Sequence, residues 1–358
     1  MVPTSHQYEQ HAPEKPTVDS VREPPARALL ATVVHLSNVI HGVRMQVAGT
    51  IGFRPTIIAY PCYGSTTWVR VLARVVLTRE APATSEKVRG WRAFTSVPIP
   101  QSELEVEIGG VAHPVRADDG GLVDVVVQVS LEPGRHTVLL RSPGTVPAEA
   151  QVLVVAQDAT FGIVSDIDDT VMVTALPRPL LAFWNTLVLS ERARTPTPGM
   201  AVLLDRIVTR HPEAPVLYLS TGPWNVAPAL GRFLARNLYP KGILLLTDWG
   251  PTRQRWFRSG REHKRTNLER LAREFPGIRW LLVGDDGQHD PEIYADFART
   301  HAGQTAAIAV RQLSAGEALL AGRLPHEDAP TSEHGTVPWA SAPDGAGIAE
   351  QLANYGLL

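Results

Sequence analysis

Phe161-Gly162-Ile163-Val164-Ser165-Asp166-Ile167-Asp168-Asp169-Thr170 decides how this chain is read, because an apolar run ends there in three closely spaced carboxylates. Phe161, Ile163 and Val164 read as a short buried strand, which delivers Asp166 and Asp168 at its carboxyl end, on the same side of the extended chain. Two carboxylates that close repel each other unless a cation sits between them. An isolated Asp-x-Asp is also compatible with an acidic turn closing a strand. The rest of the chain decides between the two.

From Thr160 onward apolar runs alternate with helical stretches: VLYLS, a helix after Pro223, ILLLT, a helix after Lys264, then WLLVG. This alternation predicts a parallel α/β sheet, in which ligands bind beyond the carboxyl ends of the strands. Each predicted strand runs into polar chemistry there: Leu217–Leu219 into Ser220 and Thr221, Leu244–Leu246 into Thr247 and Asp248, Leu281–Val283 into Asp285 and Asp286. A basic group, Arg253, Arg255, Arg258, Arg261, His263, Lys264 and Arg265, precedes the last of these strands. Most of it reads as a solvated loop. Lys264 stands apart because it begins a helix-forming stretch next to the expected site.

The surroundings are those of an ordinary globular protein. The chain has 358 residues, 44% hydrophobic and 20% charged, with a formal net charge of −2, so two domains are expected and no global attraction to nucleic acid. Its one cysteine, Cys62, excludes an internal disulfide and reads as a small buried residue. The first residues lack the charged start and apolar core of a secretory signal, and no apolar run is long enough to span a bilayer. The expected location is cytoplasmic, with any lipid met at the membrane surface.

Residues 1–25 read as a disordered tail, rich in Pro, Glu and His. Residues 26–157 read as an amphipathic helix (Leu29, Leu30, Val33, Leu36, Val39, Ile40 and Val43 on one face) followed by a β-rich, sandwich-like domain. Packing is that helix's expected role, and membrane contact the alternative. Within the β-rich part, Val69, Val71, Ala73 and Val75 alternate with Arg70 and Arg74, which predicts one buried and one solvated face, with Arg89 and Arg92 also solvated. Residues 158–321 form the expected α/β domain, and 322–358 read as a flexible tail with a short helix near its end.

Taken in order, DIDDT at 166, Ser220, Lys264 and GDDGQHD at 284–290 resemble the four motifs of haloacid-dehalogenase-type phosphatases. More narrowly, FGIVSDIDDTV, YLSTGPWN, LLLTDWGPT, FRSGREHK and WLLVGDDGQHDPEIY resemble the App1-type phosphatidate phosphatase catalytic domain over about residues 158–312. The fold this implies is a Rossmann-like parallel sheet with helices on both faces. The resemblance implies that Asp166 is the nucleophile and that Asp168 protonates the leaving alkoxide, then activates water. It further implies that Ser220 donates to the phosphoryl oxygens and Lys264 neutralises them. Mg²⁺ would be held by Asp166, the backbone carbonyl of Asp168, Asp285 and Asp290, with Asp286 competing with Asp290 and Thr221 with Ser220. His263 and His289 are expected to lie outside a carboxylate-lined site.

The implied substrate is phosphatidate, cleaved to diacylglycerol and phosphate, with a soluble phosphomonoester or a non-catalytic binding role as alternatives. Leu176, Leu180, Leu181, Phe183, Trp184 and Leu187 suit either a small apolar flap over a lipid or a helix packed on the sheet. A protein partner of the β-rich part is not identifiable from the residues.

Overall fold

The computed structural model describes residues 53–78, 96–173, 194–247, 253–287, 289–320 and 337–358. All of them fall in one compact unit, Ala48–Leu358. The predicted tail 1–25, the helix 26–43, Arg89, Arg92, the flap residues 176–187, Asp248 and Trp249 lie outside the described residues, as do the side chains of Arg253, Arg255 and Arg258.

The β-rich part comprises β1 (Arg54–Ala59), β2 (Cys62–Ser65), β3 (Trp68–Thr78), β4 (Val97–Pro98), β5 (Glu103–Ile108), β6 (Val111–Arg116), β7 (Leu122–Gln128), β8 (Gly134–Arg141) and β9 (Ala148–Val155). Its hydrogen bonds run through one continuous nine-stranded sheet, β1-β3-β2-β9-β8-β5-β6 with β4 and β7 also on β3. In β5, Leu104, Val106 and Ile108 are buried while Glu103 and Glu105 face solvent, the period-2 pattern of a strand with one covered face. The β5–β6 hairpin turns on Gly109 and Gly110, with φ of 59° and 79°, the double left-handed geometry that two-residue hairpins favour.

Strand β3 departs from the sequence expectation. Val69, Val71, Ala73 and Val75 are buried, but so are Leu72, Arg74 and Val76 on the opposite face. Rather than being solvated, that second face packs against the α/β part, where Arg74 donates to Asn225 Oδ1 at 2.8 Å and Arg70 to Glu274 Oε1 at 2.6 Å.

The α/β part runs β10 (Phe161–Ser165), α1 (Met200–Arg210), β11 (Val216–Pro223), α2 (Ala227–Arg236), β12 (Ile243–Thr247), α3 (Arg253–Glu274), β13 (Arg279–Asp285), α4 (Asp290–Thr300), β14 (Thr305–Arg311), α5 (Ala315–Leu320), β15 (Trp339–Ala342) and α6 (Gly345–Asn354). The strands form a parallel six-stranded sheet in the order β12-β11-β10-β13-β14-β15. Runs such as Leu244-Leu245-Leu246 and Leu281-Leu282-Val283 are buried throughout, as expected of parallel strands covered on both faces. Chain order reverses direction between β10 and β13, the switch point where such sheets open a crevice beyond the strand ends.

The flexible tail expected over 322–358 is corrected at its far end. Trp339–Ala342 is a parallel edge strand on β14, and α6, capped by Asp344 Oδ1 accepting from Gly347 N at 2.9 Å, packs beside it. Gly345 lies so close to Gly199, just before α1, that an added Cβ would meet the Gly199 carbonyl carbon at 2.3 Å. Trp-Ala-Ser-Ala is too short and too weakly apolar to signal a strand, while the terminal helix overlaps the short helix expected there.

Candidate active site

At the end of β10 the chain turns tightly. Asp166 N donates to Val283 O at 2.8 Å, tying the residue to β13, and Asp169 N and Met172 O close the loop at 2.8 Å. Asp169 takes a left-handed φ of 57°, and Arg311 Nη1 donates to its carbonyl at 2.7 Å. Val173 N donates to Thr195 O and Thr197 N to Val171 O, so the chain leaves and re-enters the site through a short two-stranded stem.

Three carboxylates converge beyond the strand ends: Asp166 after β10, Asp285 ending β13 and Asp290 opening α4, each offering an oxygen within 4.8 Å of the others. All three are buried. Asp285 Oδ1 accepts from Gly287 N at 2.7 Å, whereas Asp166 Oδ2 and Asp290 Oδ2 meet no hydrogen-bond donor among the described residues. Gly284 makes this convergence possible, since a Cβ there would stand 2.6 Å from Asp290 Oδ2.

Lys264, reaching in from α3, donates to Asp166 Oδ1 at 2.7 Å and to Asp290 Oδ1 at 2.5 Å. Burial opposes its charge, but Asp166, Asp290 and Asp285 outweigh that penalty and hold the ammonium protonated. One lysine does not balance the cluster. Burial pushes the Asp166 carboxyl well above the usual carboxylate range against the pull of Lys264, with Asp290 and Asp168 pushing the same way, and burial with Asp290, Asp166 and Asp169 does so for Asp285. Buried oxygen ligands, surplus negative charge and unmatched carboxylate oxygens together fit a hard divalent cation.

Asp168 lies outside this triplet and accepts from Ser220 Oγ at 3.1 Å. Ser220 Oγ in turn accepts from Gly222 N at 3.0 Å. Thr221 is half-buried, and its carbonyl is tied to the Thr247 hydroxyl at 2.9 Å. Asp286 turns away to accept from Leu313 N at 2.9 Å, so Asp290, not Asp286, joins the cluster. His289 is exposed beside Glu292. His263, on α3, is held neutral chiefly by burial, its pKa pushed down to about 4, with Nε2 3.4 Å from Leu245 O.

Two arginines escaped the sequence reading. Arg311 is buried, paired with Glu317 at 2.7 Å, and braces the Asp169 turn. Arg194 stands at the foot of the stem within the field of Asp168 and Asp169; burial lowers its pKa and those carboxylates oppose the shift. Arg311 closes the apolar run Ala306–Val310, a strand-end signal like those of Asp166 and Asp285, whereas Arg194 follows no apolar run and only the fold brings it to the site.

The family model described as "Phosphatidate phosphatase APP1, catalytic domain" matches residues 161–312. Phosphatidate phosphatase APP1 of Saccharomyces cerevisiae is 26% identical over 153 residues, 42% of this chain and 26% of its own length. An uncharacterised protein of Schizosaccharomyces pombe is 27% identical over 139 residues, 38% of this chain and 23% of its own. The match thus spans about a quarter of those relatives. Among solved structures, a carbohydrate acetylesterase from Xanthomonas citri superposes with a TM-score of 0.25 at 10% identity, over 72% of this chain and 68% of its own, too weakly to bear on fold or function. The matched segment contains every strand end that carries the cluster, and over residues 161–312 the chain is similar to the App1 catalytic-domain family.

Proposed function

We propose that this chain is a phosphoric monoester hydrolase of the haloacid-dehalogenase type that cleaves a lipid phosphate, phosphatidate, to diacylglycerol and phosphate. The observation that carries the reading is Lys264 bridging Asp166 and Asp290 inside a buried three-carboxylate group, with Asp168 and Ser220 hydrogen-bonded alongside. Phosphate monoesters resist hydrolysis because an anionic nucleophile must approach an anionic phosphoryl group, so a site for them must neutralise charge and hold its groups in line.

In this reading Asp166 attacks phosphorus through a carboxylate oxygen while the bond to the alkyl oxygen breaks, leaving an aspartyl-phosphate. Asp168, protonated at that moment, gives its proton to the departing alkoxide; as a carboxylate it then takes a proton from the water that attacks the aspartyl-phosphate, releasing phosphate and restoring Asp166. The Ser220 hydroxyl donates to a phosphoryl oxygen, and Lys264 holds Asp166 in place and offsets its charge. Mg²⁺ held by Asp166, Asp285, Asp290 and the Asp168 carbonyl would supply further positive charge beside the phosphoryl oxygens. No helix among the described residues is long and apolar enough to cross a membrane, so the lipid would be met at its surface.

The test is phosphate release from phosphatidate in detergent mixed micelles with Mg²⁺ present. Wild type should turn over, and Asp166→Asn should lose on the order of 10³-fold or more. Cleavage of soluble phosphoesters with phosphatidate left intact would remove the lipid part of the proposal.

A further inference from the structure

Ser220 is not held by its own sheet. The β11–β12 pairing is regular up to Leu219↔Leu245 and resumes only at Pro223↔Thr247, so Ser220, Thr221 and Gly222 lie in an irregularity of the ladder. Contacts outside the ladder must fix such a segment. One set is local: the Thr247 hydroxyl donates to Thr221 O at 2.9 Å and to Gly222 O at 3.2 Å. The other comes from the β-rich part and grips the helical turn Trp224–Val226, just beyond the segment. Arg74 on β3 donates through Nη1 to Asn225 Oδ1 at 2.8 Å, while its Nε is fixed on Gly120 O at 3.1 Å. The Tyr60 ring lies 4.6 Å from that of Trp224, and its hydroxyl donates to Trp224 O at 3.4 Å.

The same face of the β-rich part also clamps α3, the helix carrying Lys264. Glu274, in its last turn, accepts from Arg70 at 2.6 Å and from the Tyr63 hydroxyl at 2.8 Å. A helix transmits such a fixing along its axis as a rod, over roughly 15 Å for ten residues.

We propose that the β-rich part belongs to the working site, with Arg74 acting through Asn225 as a positioning residue for the Ser220 hydroxyl. Arg74 is buried on a strand face, where a charged side chain costs stability unless its donors are met. Its donors are met by the turn before β7 and by the loop after Ser220, so the guanidinium couples the two. A methionine would fill much of the same space and lose both bonds.

The test is a cycle of full-length variants, Arg74→Met, Asn225→Ala and the double variant, with Arg74→Lys as the conservative control. The kinetic arm rests on the phosphatase reading and uses para-nitrophenyl phosphate with Mg²⁺, well below each variant's melting temperature. Each single variant is expected to lower kcat about 10- to 100-fold with KM changed less than about twofold. The double variant should lose no more than the worse single, because both remove one coupling, and Arg74→Lys should recover part of kcat. Unchanged kcat with a lowered melting temperature, or losses that multiply in the double variant, would overturn the proposal. Amide hydrogen exchange over residues 218–226 provides a readout without turnover. If wild type hydrolyses nothing, faster exchange there in both single variants upholds the positioning role while the phosphatase reading falls, and unchanged exchange sinks the positioning role itself. Should Arg74→Met fail to fold, Asn225→Ala, at a half-buried loop position, decides by the same two readouts.

Discussion

The two sheets use charged residues in opposite ways. In the parallel sheet, Asp166, Asp285 and Asp290 are buried together beyond the strand ends with one lysine among them, so the like charges oppose one another. In the β-rich sheet, Arg70, Arg74 and Asp124 project from the strands themselves, and each arginine there has its donors placed on a carboxylate, an amide or a carbonyl. The first arrangement costs stability and the second secures an interface. Residue type alone does not distinguish them; the balance of charge and hydrogen bonding does.

The largest effect expected from breaking this contrast is at Asp285. Asparagine there should cost on the order of 10²- to 10³-fold in turnover, yet raise the melting temperature of the cation-free protein at pH 7 by about 2–5 °C. The sign follows from its raised pKa: the folded state retains a proton that the unfolded chain has released, so stability falls as pH rises from the unfolded value through the folded one. Added Mg²⁺ should stabilise wild type by mass action and leave Asp285→Asn unmoved, as differential scanning calorimetry would register. A variant that melts lower than wild type without cation would contradict the charge-surplus account.

A smaller effect is expected at His263. Its pKa is pushed down to about 4 from an ordinary 6.5, chiefly by burial, so between those values the unfolded state binds the proton and the folded state does not. Stability should be full above about pH 6.5 and decline toward pH 4, by roughly 1–2 kcal/mol for this half-buried ring. His263→Asn should flatten that part of the denaturation profile, and an unchanged slope would assign the decline elsewhere. The smallest effect belongs to the exposed Arg116–Glu103 pair of the β5–β6 hairpin, 2.8 Å apart with side chains 60% and 73% exposed. Arg116→Gln should shift stability by less than about 0.5 kcal/mol in urea titration.

The same contrast explains what the sequence disclosed. Asp166, Ser220 and Asp285 each follow an apolar run, and a parallel sheet presents such positions on one rim, so their gathering follows from topology. The choice of Asp290 over Asp286 was not legible, because both satisfy the spacing; it depends on Asp286 bonding Leu313 N. Arg70 and Arg74 show the pattern of a solvated strand face, and only the docking of α3 and the loop after Ser220 makes that face an interface. Arg311 ends the apolar strand β14, but its bond to the Asp169 carbonyl, 142 residues away, depends on the fold, and nothing local marks Arg194.

Strand β15 carries one further consequence. The segment recognisable by kinship ends at residue 312, immediately after β14, but β14 is not the last strand: Trp339–Ala342 completes its ladder and α6 leans on α1. A polypeptide cut where the similarity stops would leave β14, buried along its length, with a row of unpaired amides and carbonyls open to any passing strand. The matched segment and the folded unit therefore have different boundaries, and the second reaches to α6.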